Sequence, residues 1–89
     1  MNLVWSDKAW EDYLHWQPHD RKLLKRVNLL LEDVKRNGNE GLGKPEPLKH
    51  QFHGYWSRRI DSEHRLIYRV TDQAVSIARR RHHYGKSDS

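Results

Sequence analysis

The chain has 89 residues, of which 35% are hydrophobic and 33% charged, with no cysteine and a net charge of +5. That is enough for one domain with a lean core, to which four Trp and four Tyr add bulk. It excludes a disulfide framework, the usual cysteine-based zinc sites and, with no apolar run near the roughly 18 residues a span needs, a transmembrane helix. The N-terminus lacks the basic and apolar regions of a signal peptide, so a cytoplasmic location is expected.

In chain order, residues 2–5 read as a short strand ending in Val4-Trp5. Ser6 is a suitable N-cap, and Trp10, Tyr13 and Leu14 recur at helical spacing, which predicts a first helix over 7–17 with Pro18 as its interruption. Asp20 caps a second helix whose Leu23, Leu24, Val27, Leu30, Leu31 and Val34 form a 3.6-residue stripe and which Asn37-Gly38 ends. Residues 37–53 show no usable period and form a long connection. Three strands are predicted after it, over 54–60, 64–71 and 74–83, joined by short turns in an antiparallel meander. The fold class is α+β: two N-terminal helices packed on one face of an antiparallel sheet. Residues 1–84 form a single domain, and 85–89 read as a disordered tail.

Charge is uneven along the chain. Residues 1–40 hold seven Lys/Arg and seven Asp/Glu, whereas residues 41–89 hold ten against five. A basic half attracts polyanions, and arginines interleaved with aromatics point to RNA; the blander reading is a solvated face. Period-two sorting puts Leu66, Tyr68 and Val70 on the helix side of one strand and Arg65, Ile67 and Arg69 on the other. A basic face centred on Arg59 and Arg65, extended by Arg81 and His83, is expected opposite the helices.

RNA carries its own nucleophile, the 2′-hydroxyl. Its cleavage needs a base, positive charge around the phosphorane and an acid for the leaving 5′-oxygen. Glu46, bracketed by Pro45 and Pro47, is a candidate base. Arg65, Arg59 and Lys49 are candidates for the phosphate, a C-terminal histidine for the acid, and Tyr84 for stacking or a phosphate contact. The competing chemistry is metal binding at the His50/His53 pair or at His82-His83, but neither pair has a cysteine or an acidic cluster beside it. A non-catalytic basic module that binds RNA or DNA in a regulatory complex needs only the basic face.

Three linked blocks then carry a resemblance: Gly43-Lys44-Pro45-Glu46-Pro47-Leu48-Lys49-His50, Gly54-Tyr55-Trp56-Ser57-Arg58-Arg59-Ile60 and Glu63-His64-Arg65-Leu66-Ile67-Tyr68, with His82-His83-Tyr84 closing the chain. In these blocks the sequence resembles the YoeB-type toxins of the RelE/YoeB toxin–antitoxin superfamily. The resemblance implies a microbial-ribonuclease-like fold and cleavage of mRNA in the A site of the 70S ribosome without a cofactor or metal. It implies Glu46 as general base, His83 as general acid and Arg65 as the phosphate stabiliser, with Lys49, Arg59 and Tyr84 in supporting substrate contacts. It also implies a cognate YefM-like antitoxin, a homodimer or toxin–antitoxin hetero-oligomer, and no membrane partner. Five residues follow Tyr84, where family members commonly end.

Overall fold

The structure, a computed structural model, describes residues 2–78. The elements are β1 (Asn2–Trp5), α1 (Asp7–His19), α2 (Arg21–Asn37), β2 (Glu46–Pro47), a 3-10 turn at His50–Phe52, β3 (Trp56–Arg59), β4 (Arg65–Val70) and β5 (Ala74–Ala78). The strands form one sheet in the order β1-β5-β4-β3-β2. The antiparallel meander β3-β4-β5 forms as predicted, and the α+β class holds. The sheet is nevertheless mixed, because β1 pairs parallel with β5, Leu3 opposite Val75 and Trp5 opposite Ile77. A parallel partner must come from a distant part of the chain: the two helices carry it from β1 to the opposite edge of the sheet, and the meander then returns to lay β5 beside β1.

Each helix begins where a side chain can accept an end N–H. Ser6 Oγ accepts from Ala9 N at 3.1 Å, and Asp20 Oδ1 from Leu23 N at 3.0 Å. Pro18 does not stop α1, which continues to His19. Pro18 sits in the last turn, where little helix remains for it to disrupt, and the helix closes two residues later through Asp20 N to Trp16 O at 2.8 Å. The buried face of α1 also differs from expectation. Ala9, Asp12 and Trp16 point inward, while Trp10 and Leu14 are exposed. Trp10 instead lies beside Trp5 and Tyr13, at ring-centroid distances of 5.5 and 5.6 Å, at the margin of the core.

The stripe on α2 behaves as predicted: Leu23, Val27, Leu30, Leu31 and Val34 are buried. They pack with Ile60, Leu66, Tyr68, Val75 and Ile77 in one core between helices and sheet. Among the described residues no helix is long and apolar enough to cross a membrane. The helices thus cover one face of the sheet, and the pleat sends every second strand residue to the other.

Candidate active site

Register fixes what shares the face opposite the helices. Glu46 pairs with Ser57, Ser57 with Ile67, and Arg59 with Arg65. Directly opposed residues present their side chains to the same face, so Glu46, Ser57, Arg59, Arg65 and Ile67 form one patch across β2, β3 and β4. Within it Glu46 Oε1 stands 3.9 Å from Arg65 Nη1. That is an ion-pair contact longer than a hydrogen bond, which leaves the carboxylate lone pairs available. The Glu46 side chain is 57% exposed and that of Arg65 25%. A half-open carboxylate beside a half-sheltered guanidinium can take a proton from a substrate and neutralise a phosphate in the same place.

β2 was not foreseen, since two prolines argue against a strand. It exists because it is a two-residue edge, where a missing N–H costs no ladder bond. Leu48 N continues the pairing to Tyr55 O at 2.9 Å. The approach to Glu46 is tightly set. Lys44, immediately before Pro45, has φ 52, and His50 beyond the strand has φ 58, both left-handed and uncommon for non-glycine residues. Gly43 has φ 82, and a Cβ there would stand 2.9 Å from Leu30 Cδ2 and 3.1 Å from Arg58 Cβ. Its carbonyl accepts from Arg59 N at 2.7 Å, which ties the loop to β3 just where the arginines begin.

The element that holds this loop is Arg58, to which the sequence alone assigned no role. Arg58 lies opposite Leu66 on the helix side and is completely buried. Its Nε donates to the Tyr68 hydroxyl at 3.1 Å. Nη1 donates to Asp33 Oδ2 and to Leu42 O, and Nη2 to Gly38 O at 2.6 Å and Glu40 O at 2.7 Å. All five guanidinium donors are satisfied, three of them by carbonyls of the loop that leads to Glu46. Asp33 also accepts from Leu42 N at 3.0 Å and from the Asn37 amide at 2.8 Å. The Arg58 hydrogen bond, joined by that of Leu42, holds the Asp33 carboxyl below its ordinary range. Burial pushes the Tyr68 phenol up, against the opposing pull of Arg58, so the hydroxyl remains neutral and accepts. The readable signal was parity: Arg58 shares the side of Trp56 and Ile60, and a charge at a core position needs partners.

At the far end of the patch the β3–β4 turn is closed by Asp61, whose Oδ1 accepts from Glu63 N and His64 N at 2.9 and 2.7 Å and contacts His64 Nδ1 at 2.9 Å. Burial raises the Asp61 carboxyl, but these hydrogen bonds outweigh it and the net shift is downward. This turn sets the hairpin that brings Arg59 opposite Arg65.

Of the predicted site residues, Glu46, Arg59 and Arg65 therefore converge. Lys49 is exposed just beyond β2. His83 and Tyr84, with His82, Arg81 and the segment 85–89, lie outside the described residues. His50 and His53 are both exposed, and among the described residues no group of three or more His, Asp or Glu is placed to hold a metal ion.

A family model described as the YoeB-like toxin of bacterial type II toxin–antitoxin systems matches residues 5–84. The chain belongs to this family. Toxin YoeB of Escherichia coli K12 is 54% identical over 84 residues, which cover 94% of this chain and 100% of that protein. Among solved structures, a YoeB/ParE toxin from Agrobacterium tumefaciens superposes with a TM-score of 0.90 at 45% identity, covering 94% of this chain and 100% of that one. YoeB from Staphylococcus aureus has been solved as a dimer, with a TM-score of 0.88 and 48% identity, and in complex with YefM, with a TM-score of 0.88 and 47% identity; each comparison covers 94% of this chain and 98% of the other. The family match takes in the Glu46, Arg59 and Arg65 patch and the segment through Tyr84.

Proposed function

We propose that this chain, a YoeB-family toxin, is an endoribonuclease that cuts mRNA in the A site of the 70S ribosome and so stops translation. The observation that carries this reading is the meeting of Glu46 and Arg65 at 3.9 Å on the sheet face opposite the helices, with Arg59 paired to Arg65 in register. In the reaction Glu46 removes the proton from a 2′-hydroxyl, and the 2′-oxygen bonds to the adjacent phosphorus. Arg65 and Arg59, with Lys49, offset the charge that builds on the phosphorane oxygens. The bond from phosphorus to the 5′-oxygen breaks as His83 supplies that oxygen with a proton, and Tyr84 supports the substrate. The products are a 2′,3′-cyclic phosphate and a 5′-hydroxyl. The nucleophile belongs to the RNA, so no metal-activated water enters this scheme. The cytoplasm, where the ribosomes are, is the place of action.

By likeness to the Staphylococcus aureus structures, the chain pairs with a YefM-like antitoxin and self-associates. The deciding experiment uses ribosome-bound mRNA in which the single 2′-hydroxyl at the cut site is replaced by hydrogen. Binding is retained and cutting at that position lost, while the unmodified message yields a downstream fragment with a 5′-hydroxyl. A 5′-phosphate there, or cutting of the deoxy message, refutes the mechanism. A non-catalytic nucleic-acid-binding module would cut neither message.

A further inference from the structure

Ser57 lies within β3 with Glu46 opposite it on one side and Ile67 on the other. Its side chain is fully buried, and among the described residues its Oγ has no hydrogen-bond partner. A buried hydroxyl without a partner is a standing cost, so alanine would suit the fold alone better. Ile67 offers no side-chain acceptor and Arg59 only donors. The acceptor that register places beside this hydroxyl is the Glu46 carboxylate, on the same face of a directly opposed pair. In the free protein that carboxylate leans toward Arg65, yet at 3.9 Å it is not held there by a hydrogen bond.

We propose that Ser57 is the positioning residue for Glu46: when an RNA phosphate engages Arg65, the Glu46 carboxylate turns back over β3 and accepts a hydrogen bond from the Ser57 hydroxyl. One carboxylate oxygen is then fixed by Ser57, and the other faces the 2′-hydroxyl and takes its proton. The phosphate offsets the Glu46 contact that Arg65 gives up, and the serine gains an acceptor. This inference rests on the nuclease reading above and adds to it the group that orients the base.

The test is single-turnover cleavage of ribosome-bound mRNA by the full chain carrying Ser57→Ala. The rate at saturating ribosome falls about 10- to 100-fold, the scale of one hydrogen bond to a charged group, while the half-saturating ribosome concentration is unchanged. The melting temperature stays level or rises, because no bond of the free protein is lost. Ser57→Cys, close in size and a weaker donor, gives an intermediate rate. In a Glu46→Gln background Ser57→Ala has no further effect, since the two residues act as a unit. An unchanged rate, equal losses in both backgrounds, or a rate loss that follows a fall in melting temperature overturns the role of Ser57. Wild-type chain that cuts normally beside an unaffected Ser57→Ala variant refutes only that role. Wild-type chain that leaves the ribosome-bound message whole refutes the nuclease reading, and the role of Ser57 with it.

Discussion

Arg58 and Arg59 are neighbours in β3 and carry the same chemical group, but the pleat sends them to opposite faces. Arg58 is enclosed between sheet and helices and spends every N–H on Asp33, Tyr68 and the loop 38–42. Arg59 is exposed on the other face, opposite Arg65. The first arginine is a structural centre that happens to be charged. The second is an exposed charge, which the proposed mechanism turns toward the RNA phosphate. Environment decides between the two, and a substitution at each should therefore fail in a different assay.

The largest expected effect is on the enclosed side. Arg58→Met leaves the Asp33 carboxylate and the Gly38, Glu40 and Leu42 carbonyls without their donor. Each part-buried acceptor left without its donor costs about 1–3 kcal/mol, and several such losses together are a large share of the roughly 5–15 kcal/mol that holds a domain together. Urea denaturation should show that loss of stability, and activity should fall with it because the path to Glu46 is no longer pinned. A midpoint within error of wild type would remove Arg58 from its central place.

On the open side the expectation reverses. Arg65→Ala should leave the urea midpoint nearly unchanged yet lower the single-turnover rate by about 10²-fold or more, the scale of losing a preorganised donor to a developing charge. Arg59→Ala should lower the rate less and flatten the salt dependence of ribosome binding by about one unit of slope. If Arg65→Ala weakened binding and left the saturated rate intact, Arg65 would be a docking residue only.

The smallest effect concerns acid. A carboxyl held below its ordinary value of 3.8 adds stability that is fully present above that value and is lost as pH falls through the lowered folded value. Asp33→Asn should accordingly be less stable than wild type at neutral pH, with the gap closing as pH drops below the ordinary value. Asp61 is shifted the same way, so the variant keeps part of the acid sensitivity. Thermal melts from pH 7 to pH 2 check this, and a gap that stays constant would mean that Asp33 stabilises by shape rather than charge.

What was legible from sequence followed from periodicity. The α2 stripe was readable because six apolar residues share one face of a long helix with no competing pattern. The β4 faces were readable because Leu66 and Tyr68 alternate with Arg65 and Arg69. The α1 face was misread because large aromatics outweigh alanine in any hydrophobic pattern; in the fold, Ala9 and Trp16 fill the interior and Trp10 rests against Trp5. The parallel pairing of β1 with β5 leaves no local signal, since it brings together the first and last described strands after the helices and the meander have both been traversed. Glu46 and Arg65 could be named individually, but their approach depends on β2, a strand too short to leave a pattern. Ser57 gave no signal either, because a small polar residue in a strand becomes informative only once its burial is known.

The outer rim of β2 has a consequence beyond the reaction. Leu48 turns its N–H inward to Tyr55, and by the alternation of an antiparallel ladder the nitrogen of position 47 faces away from the sheet. That position is proline and carries no hydrogen. A like chain approaching this rim meets no donor there, so it cannot continue the full ladder along β2. Sheet-to-sheet polymerisation, the usual hazard of an edge strand, is thereby disfavoured on the side that carries Glu46. The proline that follows the carboxylate also insulates its border against amyloid-like growth.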